Sequence, residues 1–185
     1  MMTGAPETID GQEHLVLTRT FRAPVEDVWA AVTESERLGR WFATWTGDPG
    51  SGRVRLTWAY EEEMPTETYV IEVCEEPTRL RVRNENDDPI QVWTLDLRLT
   101  EEAGVTTLRF AQVLTDRSLV TDVGPGWEYY LDRLEESVRT GATATVAWEG
   151  YLDLGREYAV AFGLPDAPDP DASAGTPRED GPPRT

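Results

Sequence analysis

A single cysteine, Cys74, and a single histidine, His14, are all the thiol and imidazole chemistry in these 185 residues. One thiol cannot close an intramolecular disulfide or build a Cys-rich zinc site, and one imidazole excludes any centre that needs two. Long apolar runs are missing as well, since nothing approaches the roughly 18 residues of a membrane-spanning helix. The opening Met1-Met2-Thr3-Gly4-Ala5-Pro6 lacks the basic and hydrophobic regions of a signal peptide. Positive charge is sparse, with 17 Lys and Arg against 35 Asp and Glu and a formal net charge of -18. Such a surface repels phosphate backbones and anionic lipids, which argues against nucleic acid and membranes as partners. These absences point to a cytoplasmic protein with no metal and no cofactor.

Enough chain remains for one domain with a substantial core, and not for two. From Gly126 to Gly141 the apolar residues Trp127, Tyr130, Leu131, Leu134 and Val138 recur at helical spacing and form one stripe. Pro125 reads as the helix start and Gly141 as its left-handed cap, which puts a long helix at about 124–140. Glu128, Asp132, Arg133, Glu135, Glu136 and Arg139 fall on the opposite face, which reads as solvated. A stripe carrying Trp and Tyr needs a broad apolar surface to lie on.

Six alternating segments supply that surface. Residues 14–21 put Leu15, Leu17 and Phe21 on one face, 53–60 put Val54, Leu56, Trp58 and Tyr60 there, and 68–74 put Tyr69, Ile71 and Val73 there. Segments 79–83, 91–99 and 105–114 repeat the pattern, the last two through Trp93, Leu95, Leu97, Leu99, Leu108, Phe110 and Leu114. One-sided alternation with short polar connections predicts an antiparallel sheet whose apolar face the long helix covers. Large side chains contribute roughly 1.5–3 kcal/mol each on full burial, so this contact should dominate stability. Two short helices follow the first strand. One opens at Pro24 with Val25, Val28, Trp29 and Val32 as its stripe; the other carries Leu38, Trp41 and Phe42 after the capping-box spacing of Thr33 and Glu36. A further amphipathic helix is expected at about 146–162, through Trp148, Tyr151, Tyr158 and Phe162. Residues 1–12 read as a flexible N-terminus and 163–185 as a disordered acidic tail, which leaves 13–162 as a single domain.

The segments Phe21-Arg22-Ala23-Pro24-Val25-Glu26-Asp27-Val28-Trp29, Leu38-Gly39-Arg40-Trp41-Phe42 and Gly126-Trp127-Glu128-Tyr129-Tyr130-Leu131-Asp132-Arg133-Leu134 carry a resemblance. With the order strand, two short helices, five strands and long helix, the chain resembles the START-like (SRPBCC) superfamily. More narrowly it is similar to the bacterial AHSA1-like family, named after the C-terminal domain of the activator of Hsp90 ATPase. The match runs from about Leu15 to Val138. It implies an α+β helix-grip (START/Bet v 1-like) fold: a curved antiparallel six-stranded sheet around a long C-terminal helix, with two short helices after strand 1. It also implies an inner cavity, which in relatives holds lipids, hormones or polyketides, and it carries no shared catalytic residue. Activators of Hsp90 have a separate N-terminal domain where this sequence has roughly a dozen residues, so chaperone activation is not the leading expectation and an Hsp90 activator-like interaction module stands only as an alternative.

Trp41, Phe42, Trp45, Trp58, Trp93, Phe110, Gln112, Tyr130 and Leu134 are the residues expected to line the cavity. Core packing competes with pocket lining for each, because a sheet under a helix needs large side chains in any case. Gln112 takes the inward parity, and an inward amide needs a partner, in a ligand or within the protein. His14, beside a loose terminus, reads as solvated, and Cys74 takes the outward parity of its strand and reads as inert. Glu61-Glu62-Glu63 and Asp87-Asp88 read as acidic hairpin loops rather than a cation site. The inward faces carry no Asp or Glu, a parity that a bulge would overturn, and no catalytic residue is assigned. The leading expectation is a non-enzymatic domain that binds a small apolar or aromatic ligand. Two alternatives stand beside it: an enzyme of polyketide cyclase or aromatase type, and a protein-interaction module in which the helix around Trp148 to Phe162 makes a homodimer or partner contact.

Overall fold

Alternation along the strands and glycine at the turns between them produce one open antiparallel sheet. The computed structural model describes residues 1–61 and 63–165. The elements are β1 (Ala5–Ile9), β2 (Gln12–Phe21), α1 (Val25–Thr33), α2 (Ser35–Leu38), β3 (Ala43–Thr46), β4 (Arg53–Trp58), β5 (Thr66–Glu75), β6 (Arg79–Asn84), β7 (Thr94–Glu102), β8 (Val105–Val113), α3 (Val120–Thr140) and α4 (Leu154–Ala161). The sheet runs β1-β2-β8-β7-β6-β5-β4-β3, so its edges β1 and β3 stay apart and it does not close. α3 lies across the apolar face, with Leu131 and Leu134 fully buried beneath it. The described helices include none long and apolar enough to cross a membrane.

Eight strands replace the six expected. β1 comes from the segment read as loose: Asp10 and Gly11, both at positive φ (51° and 79°), make a two-residue hairpin turn that returns β1 onto β2, pairing Ala5 with Val16 and Ile9 with Gln12. β1 has no alternating signature because four of its five residues are exposed on an edge strand. Its presence also corrects His14, which is buried beside Glu7 of β1 with Nδ1 3.0 Å from the Gln12 carbonyl. β3 is only four residues long and pairs Ala43 with Trp58.

The capping box also gives way to a different device. The Thr33 hydroxyl donates to the Trp29 carbonyl within α1, and Trp45 of β3 ties the helix junction instead. Its backbone N–H donates to the Ser35 hydroxyl and its indole N–H to the Thr33 carbonyl, both at 2.8 Å.

α3 starts six residues before Gly126 and contains Pro125, which is therefore not its first residue. The proline removes one donor, and the Thr121 carbonyl it leaves free faces α4, where a Cβ on Gly155 would stand only 2.8 Å away. Gly141 ends the helix as expected, at φ 69° with its N–H donating to the Ser137 carbonyl. The extra helix is shorter than expected: Trp148–Tyr151 form a 3-10 turn and α4 follows. Tyr158 of α4 is wholly buried, its ring so close to the α3 backbone that a Cβ on Gly124 would come within 2.6 Å of it. Gly126 differs, with no atom within 4 Å of the place its Cβ would take. Gly126→Ala is therefore expected to stabilise the fold by roughly 1 kcal/mol through helix propensity, raising the melting temperature by about 2–4 °C. A lowered melting temperature would contradict that open setting. The expected tail at 163–185 lies outside the described residues from residue 166 onward.

Candidate functional site

The side of α3 read as solvated is partly buried. α4 and the N-terminal residues form a second cover there, and Glu128 beneath them is 1% exposed. Its carboxylate accepts from the backbone N–H groups of Thr3 and Gly4, the Tyr158 hydroxyl at 2.7 Å and Arg19 Nη2 at 2.6 Å. Burial alone would push this carboxyl up; the Thr3 N–H, Arg19 and Tyr158 outweigh it and hold it below the ordinary range. Burial together with the Glu128 charge pushes the Tyr158 hydroxyl up, so it stays a donor. Arg133, also assigned to water, is buried: Nε donates to the Trp41 carbonyl and Nη1 to the Tyr129 hydroxyl and the Val146 carbonyl. The Glu128 cluster is structural, because Glu128, Arg19 and Tyr158 knit α3, β2 and α4 together and line neither of the spaces on the inner face of the sheet.

The inner face of the sheet holds two separate spaces. The first, of about 340 Å³, lies between α1–α2 and the middle of the sheet. Trp29, Val32, Leu38, Trp41 and Phe42 cover one side; Leu56, Ile71, Val82, Leu95, Leu97 and Phe110 floor it; Trp127 of α3 closes the end. Tyr69 is the polar exception: it is 2% exposed, and its hydroxyl has no hydrogen-bond partner among the described residues. Burial first, then the charge of Glu67 and hydrogen bonding toward it, raise its pKa, so the group remains a neutral hydroxyl; the Glu67 carboxylate is the acceptor acting on it, without reaching normal hydrogen-bond geometry.

β5 carries the correction that matters most here. Ile71 pairs with Val82 and Val73 with Arg81, a register shift that leaves Glu72 as an extra residue. Beyond this bulge the faces exchange, so that Cys74 pairs with Leu80 and, with Glu76, turns to the cavity mouth. Cys74 is therefore not outward, and the inner space is not free of carboxylates. Glu34, Pro49, Cys74 and Glu76, all exposed, form the rim.

The second space, of about 590 Å³, lies on the other side of Trp127, whose ring is part of both walls. It is lined by Trp58, Tyr60, Glu61, Trp93, Asp122, Val123, Gly126, Tyr129, Tyr130 and Trp148. The partition is aromatic: Phe42 meets Trp58 at 4.7 Å, Tyr130 at 5.1 Å and Trp127 at 5.5 Å between ring centroids.

The nine residues expected at one site are thus divided. Trp41, Phe42, Trp45 and Phe110 line the first space; Trp58, Trp93 and Tyr130 line the second. Leu134 is fully buried core and touches neither. Gln112 is also outside both, its side-chain oxygen accepting from the Trp127 indole N–H, so that oxygen finds its partner within the protein. Tyr69 and Trp29 were missed as site residues. An inward tyrosine whose hydroxyl must find a partner was the readable signal for the first, while nothing distinguished Trp29 from an ordinary helix stripe.

An open antiparallel sheet wrapped on a long C-terminal helix, two short helices after the second strand and a cavity between them define a START-like (SRPBCC) domain. The sequence profile of the family described as Activator of Hsp90 ATPase homolog 1-like protein (AHSA1) matches residues 22–139, and the chain belongs to that family. Solved structures agree on the fold. CalU16 from Micromonospora echinospora is 25% identical with a TM-score of 0.66, over 88% of this chain and 95% of that one. The protein encoded by BPP1335 from Bordetella parapertussis is 20% identical, TM-score 0.65, over 85% and 90%; EF2215 from Enterococcus faecalis is 20% identical, TM-score 0.63, over 86% and 91%. No curated protein sequence matches the chain at a significant level.

Proposed function

We propose that this domain binds a small, largely apolar or aromatic ligand in the first cavity, without catalysing a reaction on it. The observation that carries the reading is the combination of an apolar-walled cavity of useful size with one buried hydroxyl, on Tyr69, that makes no hydrogen bond of normal geometry. About 340 Å³ falls within the roughly 300–1,000 Å³ of small-molecule sites, which are apolar with a few placed polar groups. An unpartnered buried hydroxyl costs on the order of 1–3 kcal/mol, a cost that a ligand acceptor facing Tyr69 removes. The bulge in β5 removes the argument that no carboxylate reaches the interior. Glu34 and Glu76 nevertheless stand in water at the rim, where nothing gives them the shielded setting that acid–base catalysis needs. Binding is therefore favoured over a cyclase-type activity.

The neutral dye N-phenyl-1-naphthylamine is the test ligand. Saturable, equimolar fluorescence enhancement is expected with the full chain, together with slower reaction of Cys74 with a maleimide, because that thiol sits in the mouth. Ile71→Phe, which puts a ring into the cavity from a half-buried position, should weaken the dye roughly tenfold or more. Absence of saturation, or dye binding that ignores Ile71→Phe and leaves Cys74 equally reactive, would overturn the reading.

A further inference from the structure

The second space differs chemically from the first, and its walls are those of a cation receptor. Trp58 and Trp93 meet edge to face at 5.6 Å, and Tyr129 and Trp148 at 5.4 Å, and all four residues line one volume of about 590 Å³. Two carboxylates, Glu61 and Asp122, stand in the same wall, and a contiguous outer recess adds Glu63 and Glu67 around Trp58 and Trp93. Glu61 is oriented by the Tyr130 hydroxyl at 2.7 Å, and Glu67 by the Trp58 indole N–H at 3.2 Å. The neighbouring cation is Arg133, whose guanidinium lies 3.7 Å above the Tyr60 ring and 5.2 Å from that of Tyr129. Its Nε and Nη1 are held by the Trp41 and Val146 carbonyls, its Nη2 has no partner among the described residues, and against this one cation behind the wall stand four carboxylates, so the balance at the chamber is negative.

We propose that this aromatic, acid-rimmed chamber is a separate binding site for a small organic cation, an ammonium group carried on an aromatic or alkyl body. Aromatic faces attract a cation through their quadrupole, and the attraction grows as water is excluded. An anion is opposed by Glu61, Asp122 and the net charge of -18. A wholly neutral ligand would strip water from carboxylates without repaying them. α3 leaves room for the occupant at Gly126, where a side chain would meet nothing within 4 Å, and Trp148, 40% exposed, forms the outer wall. The proposal does not depend on what occupies the first cavity.

Phenethylamine, protonated at neutral pH, and 2-phenylethanol are compared as probes because they have nearly the same shape and differ in charge. Titration of the full chain, followed by tryptophan fluorescence and calorimetry, is expected to show saturable 1:1 binding of the amine, roughly tenfold or more tighter than the alcohol. Raising salt from about 20 mM to about 500 mM should weaken it. Gly126→Leu fills the chamber from the helix, and Trp148→Ala removes a ring at the surface; each should weaken the amine roughly tenfold while leaving N-phenyl-1-naphthylamine binding and the maleimide rate of Cys74 unchanged. Equal affinity for the alcohol, no saturation, or amine binding insensitive to both substitutions overturns the proposal. Failure of the dye assay alone bears only on the first cavity.

Discussion

Arg19→Ala is expected to destabilise the fold by about 3–5 kcal/mol, far more than loss of an exposed ion pair, which is typically worth about 0–1 kcal/mol. Arg19 is 8% exposed and bonds four groups at once: Glu128, Asp132, the Thr3 hydroxyl and the Thr18 carbonyl. Its removal strands the Glu128 carboxylate in a site that water does not reach. Only the Thr3 amide and hydroxyl, the Gly4 amide and the Tyr158 hydroxyl would remain. In the intact protein Glu128 is held below its ordinary pKa, so its contribution is present above the unfolded value of about 4.3 and is lost as the pH falls through the lower folded value. Without Arg19, burial dominates and the group protonates at higher pH, so the gap between the two proteins should be largest near pH 7 and narrow toward pH 4. Urea unfolding at both pH values measures this. A gap of constant size would mean that lost packing, not the stranded charge, sets the cost. Arg19→Met combined with Glu128→Gln keeps an acceptor for the amides and should recover part of the loss. The Arg117–Glu13 pair offers the internal control: both partners are partly exposed, and Arg117→Ala should cost under about 1 kcal/mol.

This cluster also shows where sequence periodicity stops being informative. A single apolar stripe on α3 identifies the face toward the sheet, and Trp127, Tyr130, Leu131 and Leu134 are buried there. Assigning everything else to water assumes a single cover. The second cover consists of α4 and residues 2–4, and their contact with Glu128 depends on a fit at Gly4 and Gly124 around Tyr158 that no spacing rule encodes. β1 was legible in principle through Asp10-Gly11, a hairpin dipeptide ahead of an alternating strand, but its exposed residues hid it. β3 is too short to show a period. The bulge in β5 left no mark, because Tyr69, Ile71 and Val73 read as unbroken alternation while the backbone inserts Glu72 and turns Cys74 and Glu76 inward. Thus the apolar floor of the first cavity was readable residue by residue, whereas its polar rim was not. The split into two spaces was hidden for a related reason: helical spacing and strand alternation say which way Phe42, Trp58 and Trp93 point, not that their rings meet to form a wall.

That wall makes Trp127 the substitution with the widest consequences. Its ring packs at 4.3 Å on Phe110 and 5.5 Å on Phe42, and its indole N–H donates to Gln112, all at 3% exposure. Trp127→Ala is expected to cost about 3–5 kcal/mol from lost burial and an unfilled cavity. A stranded Gln112 amide adds to that cost. Since native domains keep only about 5–15 kcal/mol in total, the variant should unfold at much lower urea or fold incompletely. Trp127→Phe separates the two contributions. It retains most of the ring contact while removing the N–H donor, and should cost roughly 1–3 kcal/mol. The same pair tests the division of the interior, because Trp127 borders both spaces. If the ring is the partition, Trp127→Phe leaves the neutral dye and the amine binding independently, whereas Trp127→Ala, where it folds, merges the chambers and makes the two compete. Independent binding in a folded alanine variant would show that Phe42, Trp58 and Tyr130 hold the wall without it, and a melting temperature unchanged by Trp127→Ala would contradict the burial of the ring itself.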